Sequence, residues 1–146
     1  MNSSASPIIR EIEIPSDLSA VRTLQNEIEE HLLTCRYGEF DIFGIKMALE
    51  EALVNAIKHG NQLDPEKKVK VCFSISAHYF EISIMDEGPG FDPEDVPDPT
   101  APENLERPCG RGLLLMRSFM NQVDFIGKGN AIRMCKHREL NENGGS

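Results

Sequence analysis

The 146-residue sequence contains no tryptophan, and its aromatic residues are limited to seven phenylalanines and two tyrosines. Because proteins that bind single-stranded nucleic acid stack the bases on aromatic side chains, this scarcity argues against such a role. Basic residues are also few, with 15 against 24 acidic residues and a net charge of −9, which disfavours binding through phosphate neutralisation. We therefore expect no direct contact with nucleic acid and a neutral or basic protein partner.

The cysteines are too scattered to form a recognisable motif. Cys35, Cys72, Cys109 and Cys135 show neither Cys-x-x-Cys spacing nor the Cys/His spacing of a metal site. No run approaches the roughly 18 apolar residues of a membrane-spanning helix. Residues 1–10 lack the basic-then-apolar order of a signal peptide. These absences predict a cytoplasmic protein with reduced thiols and no membrane association.

Two common nucleotide-binding motifs are missing as well. The sequence has no G-x-x-x-x-G-K-[ST] motif, which excludes a P-loop. No G-x-G-x-x-G follows a predicted strand, so a Rossmann site is not expected either. What is present is an ordinary globular composition, 40% hydrophobic and 27% charged, over a length typical of one domain.

Periodicity predicts the order strand, two helices, two strands, long loop, helix, two strands. Alternation favours strands near residues 8–14, 69–75, 79–85, 123–126 and 131–135, and helical spacing favours helices near 18–36, 41–59 and 112–120. This order predicts an α+β two-layer sandwich, in which a mixed, mainly antiparallel sheet carries helices on one face. We expect one domain over residues 8–137, with flexible ends at 1–7 and 138–146.

A proline-rich segment separates the third strand from the third helix. Residues 88–109 contain six prolines and begin with a glycine. Loops of about twenty residues inside a small domain are more often lids or binding loops than passive connections. We therefore predict a lid over about residues 91–109.

The second predicted helix carries two distinct stripes. One is apolar and forms the core face, whereas the other combines the small residues Gly44 and Ala48 with Glu51 and Asn55, which lie one turn apart. Small residues leave room for a ligand, and a carboxylate beside an amide can hold a cation or accept a proton. Glu50 points to nearly the opposite side. A solvated polar face gives the same pattern and stays the alternative.

Two glycine motifs follow. Asp86 begins D-E-G-P-G at the end of a predicted strand, where a carboxylate can accept from an exocyclic amine and the glycines admit a flat ligand. G-R-G over residues 110–112 opens the third predicted helix, whose free N–H groups favour phosphate, and Arg107 and Arg111 add positive charge. Taken alone, each motif is equally typical of a plain turn or connection.

In this order the three motifs resemble the GHKL-type ATPase fold. E-x-x-x-N over residues 51–55 runs on to His59-Gly60, followed by D-x-G-x-G over 86–90, the proline-rich segment and G-x-G over 110–112. Within that superfamily the chain is similar to the small, single-domain anti-sigma factor serine/threonine-protein kinases. The resemblance covers about residues 8–136.

By this resemblance, Glu51 is the general base and Asn55 is a ligand of the Mg²⁺ that bridges the phosphates of ATP. Asp86 binds the adenine amine. The glycines that the resemblance implies as parts of the pocket and lid are Gly88, Gly90, Gly110 and Gly112. These roles suit phosphoryl transfer, because Mg²⁺ needs only one or two protein ligands and the reaction depends on positioning and charge neutralisation.

Two positions depart from the family pattern. Pro108-Cys109 stand before Gly110, where the family has serine or threonine, and Asn130-Ala131 stand where it has a threonine near the adenine. His59 is expected either to cap the end of its own helix or to line the pocket.

The resemblance implies an ATP-dependent serine/threonine-protein kinase that acts as an anti-sigma factor. In that family a homodimer sequesters a sigma factor of RNA polymerase and phosphorylates a small STAS-domain anti-anti-sigma protein. A nucleotide-dependent protein-binding regulator without kinase activity is the alternative. The catalytic half of a two-component histidine kinase is a weaker third hypothesis, because the stretch before the Asn55 helix has no room for a phosphoacceptor hairpin.

Overall fold

A computed structural model describes residues 7–88, 108–127 and 130–138, and for residues 108–113 it describes the backbone alone. The elements in chain order are β1 (Ile8–Pro15), α1 (Ser19–Thr34), α2 (Glu39–Val54), a π-helical segment (Asn55–Gly60), β2 (Lys68–Ile75), β3 (Tyr79–Met85), α3 (Pro108–Phe119), β4 (Gln122–Ile126) and β5 (Ala131–His137). The type and order of the predicted strands and helices are confirmed.

The described strands form one five-stranded sheet in the order β1-β2-β3-β5-β4. All four pairings are antiparallel, which confirms the predicted α+β class. Along β2 the buried residues alternate with the exposed Lys68, Lys70 and Cys72, so within the described structure the helices cover one face of the sheet. Period-two alternation is the pattern expected of a sheet that is half buried.

The core lies between that covered face and the helices. The largest fully buried side chains of the strands are Phe73, Ile75, Phe80, Ile82 and Ile84, and those of α1 and α2 are Ile28, Leu32, Ile45, Leu49 and Leu53. Burial of each such side chain contributes about 1.5–3 kcal/mol, which offsets the cost of ordering the chain. This packing fixes α2 across the sheet and places its carboxyl end near the loop after β3.

A side chain just before α1 bonds to the first residue of the helix. The Asp17 carboxylate accepts a hydrogen bond of 2.9 Å from the Ser19 N–H, and this bond lowers the pKa of Asp17. An acidic residue at this position also complements the positive end of the helix dipole.

The second helix differs from its prediction at its carboxyl end. Instead of one α-helix to residue 59, α2 ends at Val54 and the chain widens into the π segment. The Asn61 N–H donates to the Ala56 carbonyl five residues back, and the Leu63 N–H donates to the Ile57 carbonyl. Gln62 and Leu63 then take positive φ values of 55° and 59°, which turn the chain toward β2. Hydrophobic periodicity does not distinguish an α-helix from a π-helix over so short a stretch.

The third helix begins at Pro108, four residues earlier than predicted. Proline is favoured in the first turn, because the N–H that it lacks would have no partner within the helix. Gly110 and Gly112 therefore lie inside the first turns of α3, and Pro108 and Cys109, at the end of the predicted lid, belong to the same helix. The rest of the predicted lid falls outside the described residues, as do nearly all of both predicted flexible ends.

Among the described residues, no helix is both long enough and apolar enough to cross a membrane.

Candidate functional site

Glu51 and Asn55 lie where α2 passes into the π segment. Both side chains are half-buried, whereas Glu50 is exposed. Residues four apart lie on one side of a helix, so the carboxylate and the amide share a surface that Glu50 does not. Within the described part of the chain, neither Glu51 nor Asn55 has a side-chain hydrogen-bond partner.

The amino-terminal half of the same stripe does not face a ligand. Gly44 is buried, and a Cβ on it would stand 2.9 Å from Cδ1 of Phe119 in α3. Ala48 is fully buried in the core. The interpretation that these two small residues leave room for a ligand is wrong, because the Phe119 ring fills the space beside Gly44. Their size allows α3 to pack closely on α2.

Asp86 follows β3 directly and is held through its backbone. Its N–H donates to the Asn130 carbonyl at 2.9 Å, and the Asn130 side-chain amide donates to the Asp86 carbonyl at 3.1 Å. The Asp86 carboxylate accepts a bond of 2.8 Å from the Gly88 N–H through Oδ1. Burial raises the pKa of Asp86, although the Gly88 bond and the positive charge of Lys67 oppose this shift.

Two glycines bring the Asp86 loop against the π segment. A Cβ on Gly60 would stand 2.6 Å from Asp86 Oδ1 and closer still to Oδ2. A Cβ on Gly88 would stand 2.7 Å from the Gly60 carbonyl carbon and 2.9 Å from Asp86 Oδ1. Separations under about 3 Å are not tolerated, so the contact requires glycine at both positions. The segment that begins with Asn55 thus ends against the carboxylate of Asp86.

The role of Gly60 differs from the one expected at a helix end. It lies within the π segment, and the positive φ values that end the helix belong to Gln62 and Leu63. His59, in the same segment, has an exposed side chain.

Two asparagines of the site were not found by sequence reasoning. Asn130 was noted only as a departure from a family pattern, and Asn61 belongs to none of the three sequence motifs. In the structure Asn61 is fully buried and its side chain accepts a bond of 2.7 Å from the Glu87 N–H. Both asparagines contact the loop that contains Asp86, and they come from distant parts of the chain. No local pattern signals such contacts.

The start of α3 supplies the third part of the predicted site. Its first backbone N–H groups have no acceptor within the helix, and those of Cys109, Gly110 and Arg111 are among them. Helix α3 packs along α2, which bears Glu51. Gly90 and Arg107 lie outside the described residues.

The described residues contain no cluster of three or more His, Cys, Asp or Glu side chains that could hold a metal ion. An amide oxygen such as that of Asn55 is a ligand that Mg²⁺ accepts. A groove of about 350 Å³ lies between the end of β1 and the loop after the π segment, and none of the predicted site residues lines it.

Comparison with known protein families gives one match over most of the chain. The family model described as a histidine kinase-like ATPase domain matches residues 14–136. This range includes every candidate site residue named above.

Curated relatives agree with that match. The anti-sigma F factor of Halalkalibacterium halodurans is 39% identical over 100 residues, which are 64% of this chain and 67% of the relative. The serine-protein kinase RsbW of Bacillus licheniformis is 32% identical over 107 residues, which are 68% of this chain and 67% of the relative.

A solved structure shares the fold. The crystal structure of the RsbU and RsbW domains of a Mycobacterium tuberculosis protein superposes with a TM-score of 0.62 and 17% sequence identity. The match covers 91% of this chain and 32% of that one. At this identity the likeness concerns the fold alone.

Proposed function

This chain belongs to the histidine kinase-like ATPase domain family, and we propose that it is an ATP-dependent protein serine/threonine kinase that acts as an anti-sigma factor. Membership of an ATPase family implies the use of ATP. Relatives named anti-sigma F factor and serine-protein kinase support the two parts of the proposal.

The observation that carries the proposal is the close contact of Gly60 with Asp86. This contact places the Asp86 carboxylate, which can accept from the adenine amine, against the π segment. That segment starts with Asn55, one turn from Glu51. An adenine contact and a phosphate-side amide are thus part of one continuous structure.

At the adenine end, Asp86 is the acceptor for the exocyclic amine. One carboxylate oxygen already accepts from the Gly88 N–H, which fixes the orientation of the group. The second oxygen is left for the base. Gly88 and Gly90 allow the backbone to approach the flat ring.

At the phosphate end, Asn55 would hold Mg²⁺ through its amide oxygen, and the metal would neutralise charge on the phosphates. Glu51, one turn away, accepts the proton of the attacking serine or threonine hydroxyl. The free N–H groups at the start of α3, including that of Gly110, contact phosphate oxygens. Gly112 is the second glycine of this part of the helix, and Arg107 and Arg111 add positive charge.

The proposed partners follow from the names of the relatives and from the resemblance. A homodimer of this chain binds a sigma factor of RNA polymerase in the cytoplasm. It releases or regains that factor according to the phosphorylation of a STAS-domain anti-anti-sigma protein.

The test is transfer of label from γ-labelled ATP to candidate STAS proteins of the same genome. We expect label on a serine or threonine of one of them. If the chain binds a sigma factor only with nucleotide bound and labels none of these proteins, it is a nucleotide-dependent binding regulator and the kinase proposal is wrong.

A further inference from the structure

We propose that Asn61 is a positioning residue that holds the Asp86 loop, residues 86–88, ready to recognise adenine. The inference rests on the proposed function, since it concerns the same nucleotide site. It assigns to Asn61 an effect on base selectivity that acts through Asp86 and not through contact with the nucleotide.

The Asn61 side chain is fully buried, and every part of its amide is used. Oδ1 accepts from the Glu87 N–H at 2.7 Å. Nδ2 donates to Ser16 Oγ at 2.9 Å and to the Lys68 carbonyl at 3.0 Å. One side chain therefore connects the end of β1, the start of β2 and the loop after β3.

The loop is fixed from both sides. Asn61 holds the backbone of Glu87, and the Glu87 carboxylate accepts a bond of 2.6 Å from the Lys68 N–H. On the other side, Asn130 bonds to both the N–H and the carbonyl of Asp86. The backbone on either side of the Asp86 carboxylate is thereby anchored before any ligand arrives. Such preorganisation raises both affinity and selectivity.

The contacts of Asn61 with the loop and with Ser16 can be separated by mutation. Its Oδ1 contacts the loop through the Glu87 N–H, whereas its Nδ2 donates to the Ser16 hydroxyl and the Lys68 carbonyl. The Ser16 hydroxyl donates to the Lys67 carbonyl at 2.7 Å and does not contact the loop. Ser16 is 5% exposed and Asn61 is fully buried, so Ser16→Ala is a suitably buried control for Asn61→Ala. Removal of either residue leaves buried polar groups without partners and destabilises the fold.

The experiment compares ATP with ITP, whose base has a carbonyl in place of the adenine amine. Calorimetry measures both affinities for the unaltered chain, Asn61→Ala, Ser16→Ala and Asp86→Asn. We expect the unaltered chain to prefer ATP by at least about tenfold, because a carboxylate facing a carbonyl is left unpaired. Asn61→Ala should reduce that preference severalfold, toward equal affinity for the two nucleotides. Asp86→Asn, whose NH2 group can donate to the ITP carbonyl, should remove or reverse it. Ser16→Ala should lower the unfolding temperature and keep the preference.

The double variant Asn61→Ala/Asp86→Asn should bind ATP no more weakly than Asp86→Asn alone, because both changes remove the same contact. If Asn61→Ala prefers ATP as strongly as the unaltered chain does, the positioning role is overturned while the adenine site stands. If the unaltered chain shows no preference for ATP, the adenine assignment of Asp86 fails, and this inference fails with it.

A measurement on the unaltered chain covers the case in which Asn61→Ala does not fold. Hydrogen exchange should find the Glu87 amide protected without nucleotide, to the degree seen within β3. Rapid exchange of that amide, slowed only by ATP, would show that the nucleotide orders the loop and would overturn the proposal.

Discussion

Gly44 near the start of α2 and Gly60 at the end of the following π segment both let a neighbouring side chain approach the helix closely, but the two neighbours differ in chemistry. At the amino end Gly44 lets the Phe119 ring approach the helix, and at the carboxyl end Gly60 lets the Asp86 carboxylate approach it. The first contact is apolar and buries core surface. The second brings a carboxylate against a π segment whose first residue is a half-buried amide. Glycine permits a close approach in both places. The neighbouring side chain, an apolar ring in one case and a carboxylate in the other, distinguishes the packing contact from the proposed ligand site.

Substitution of Glu51, beside the proposed nucleotide site, has the largest expected effect. Glu51→Gln keeps the size of the side chain and removes the base, so transfer of label to a verified STAS acceptor should fall about 10²–10⁴-fold. ATP affinity should stay within a few-fold. Glu50→Gln, the matched change on the exposed side, should alter neither quantity. Transfer by Glu51→Gln at the rate of the unaltered chain would remove Glu51 from the mechanism.

Asp86 comes next in size. In Asp86→Asn the amide oxygen keeps the bond from the Gly88 N–H, so the NH2 group faces the adenine amine, donor against donor. The lost bond should cost about 1–3 kcal/mol, or roughly 5- to 150-fold in ATP affinity by calorimetry. Glu87→Gln removes one negative charge from the neighbouring residue and keeps an acceptor for the Lys68 N–H. We expect it to bind ATP like the unaltered chain. Equal losses in both variants would indicate a general charge effect in place of recognition.

Substitution of Gly60 and of Gly44 by alanine tests whether the two ends of the helix have separate roles. Gly60→Ala drives a methyl group into the Asp86 carboxylate, so ATP affinity should fall about tenfold or more, equivalent to about 1.4 kcal/mol. Gly44→Ala drives one into the Phe119 ring, which should cost about 1–3 kcal/mol of folding free energy. Thermal unfolding should show the second loss, and calorimetry should find its ATP affinity unchanged. An ATP defect in Gly44→Ala would mean that the two ends are not separate.

The smallest effect is on the pH dependence of stability. Burial raises the folded-state pKa of Asp86 above its ordinary value of 3.8, so protonation of this carboxyl group stabilises the folded state, and this stabilisation is fully present below pH 3.8. It is lost as the pH rises through the folded-state pKa. Relative to Asp86→Asn, the unaltered chain should therefore lose stability as the pH rises from below 3.8 through the raised pKa of Asp86. Chemical unfolding at several pH values measures this difference, and an opposite slope would show that the Gly88 bond and Lys67 outweigh burial.

The sequence alone was sufficient to predict the order of the strands and the protein family. Alternation in β2 and β3 follows from a sheet with one covered face, and the spacing of the three motifs identified the ATPase family that the match over residues 14–136 confirms. It also separated Glu51 from Glu50 correctly, since a helix of known pitch fixes which side each residue occupies.

What the sequence did not predict depends on contacts between distant residues. Gly44 and Gly60 look alike in sequence, because Phe119 and Asp86 lie far away along the chain. The bonds of Asn61 to Ser16 and Glu87, and of Asn130 to Asp86, join residues that periodicity treats separately. The π segment was not predicted, because the same apolar stripe is compatible with an α-helix and with a π-helix.

The central claim is that ATP binds where the π segment meets the Asp86 loop, and it is tested most directly by titrating the isotope-labelled chain with Mg-ATP and following its amide resonances. We expect the largest shifts in Asn55–Gly60 and at Glu87 and Gly88, with small changes near Gly44. Shifts concentrated around Gly44, or in the groove beside Leu18 and Leu63, with none at Glu87 and Gly88, would contradict it.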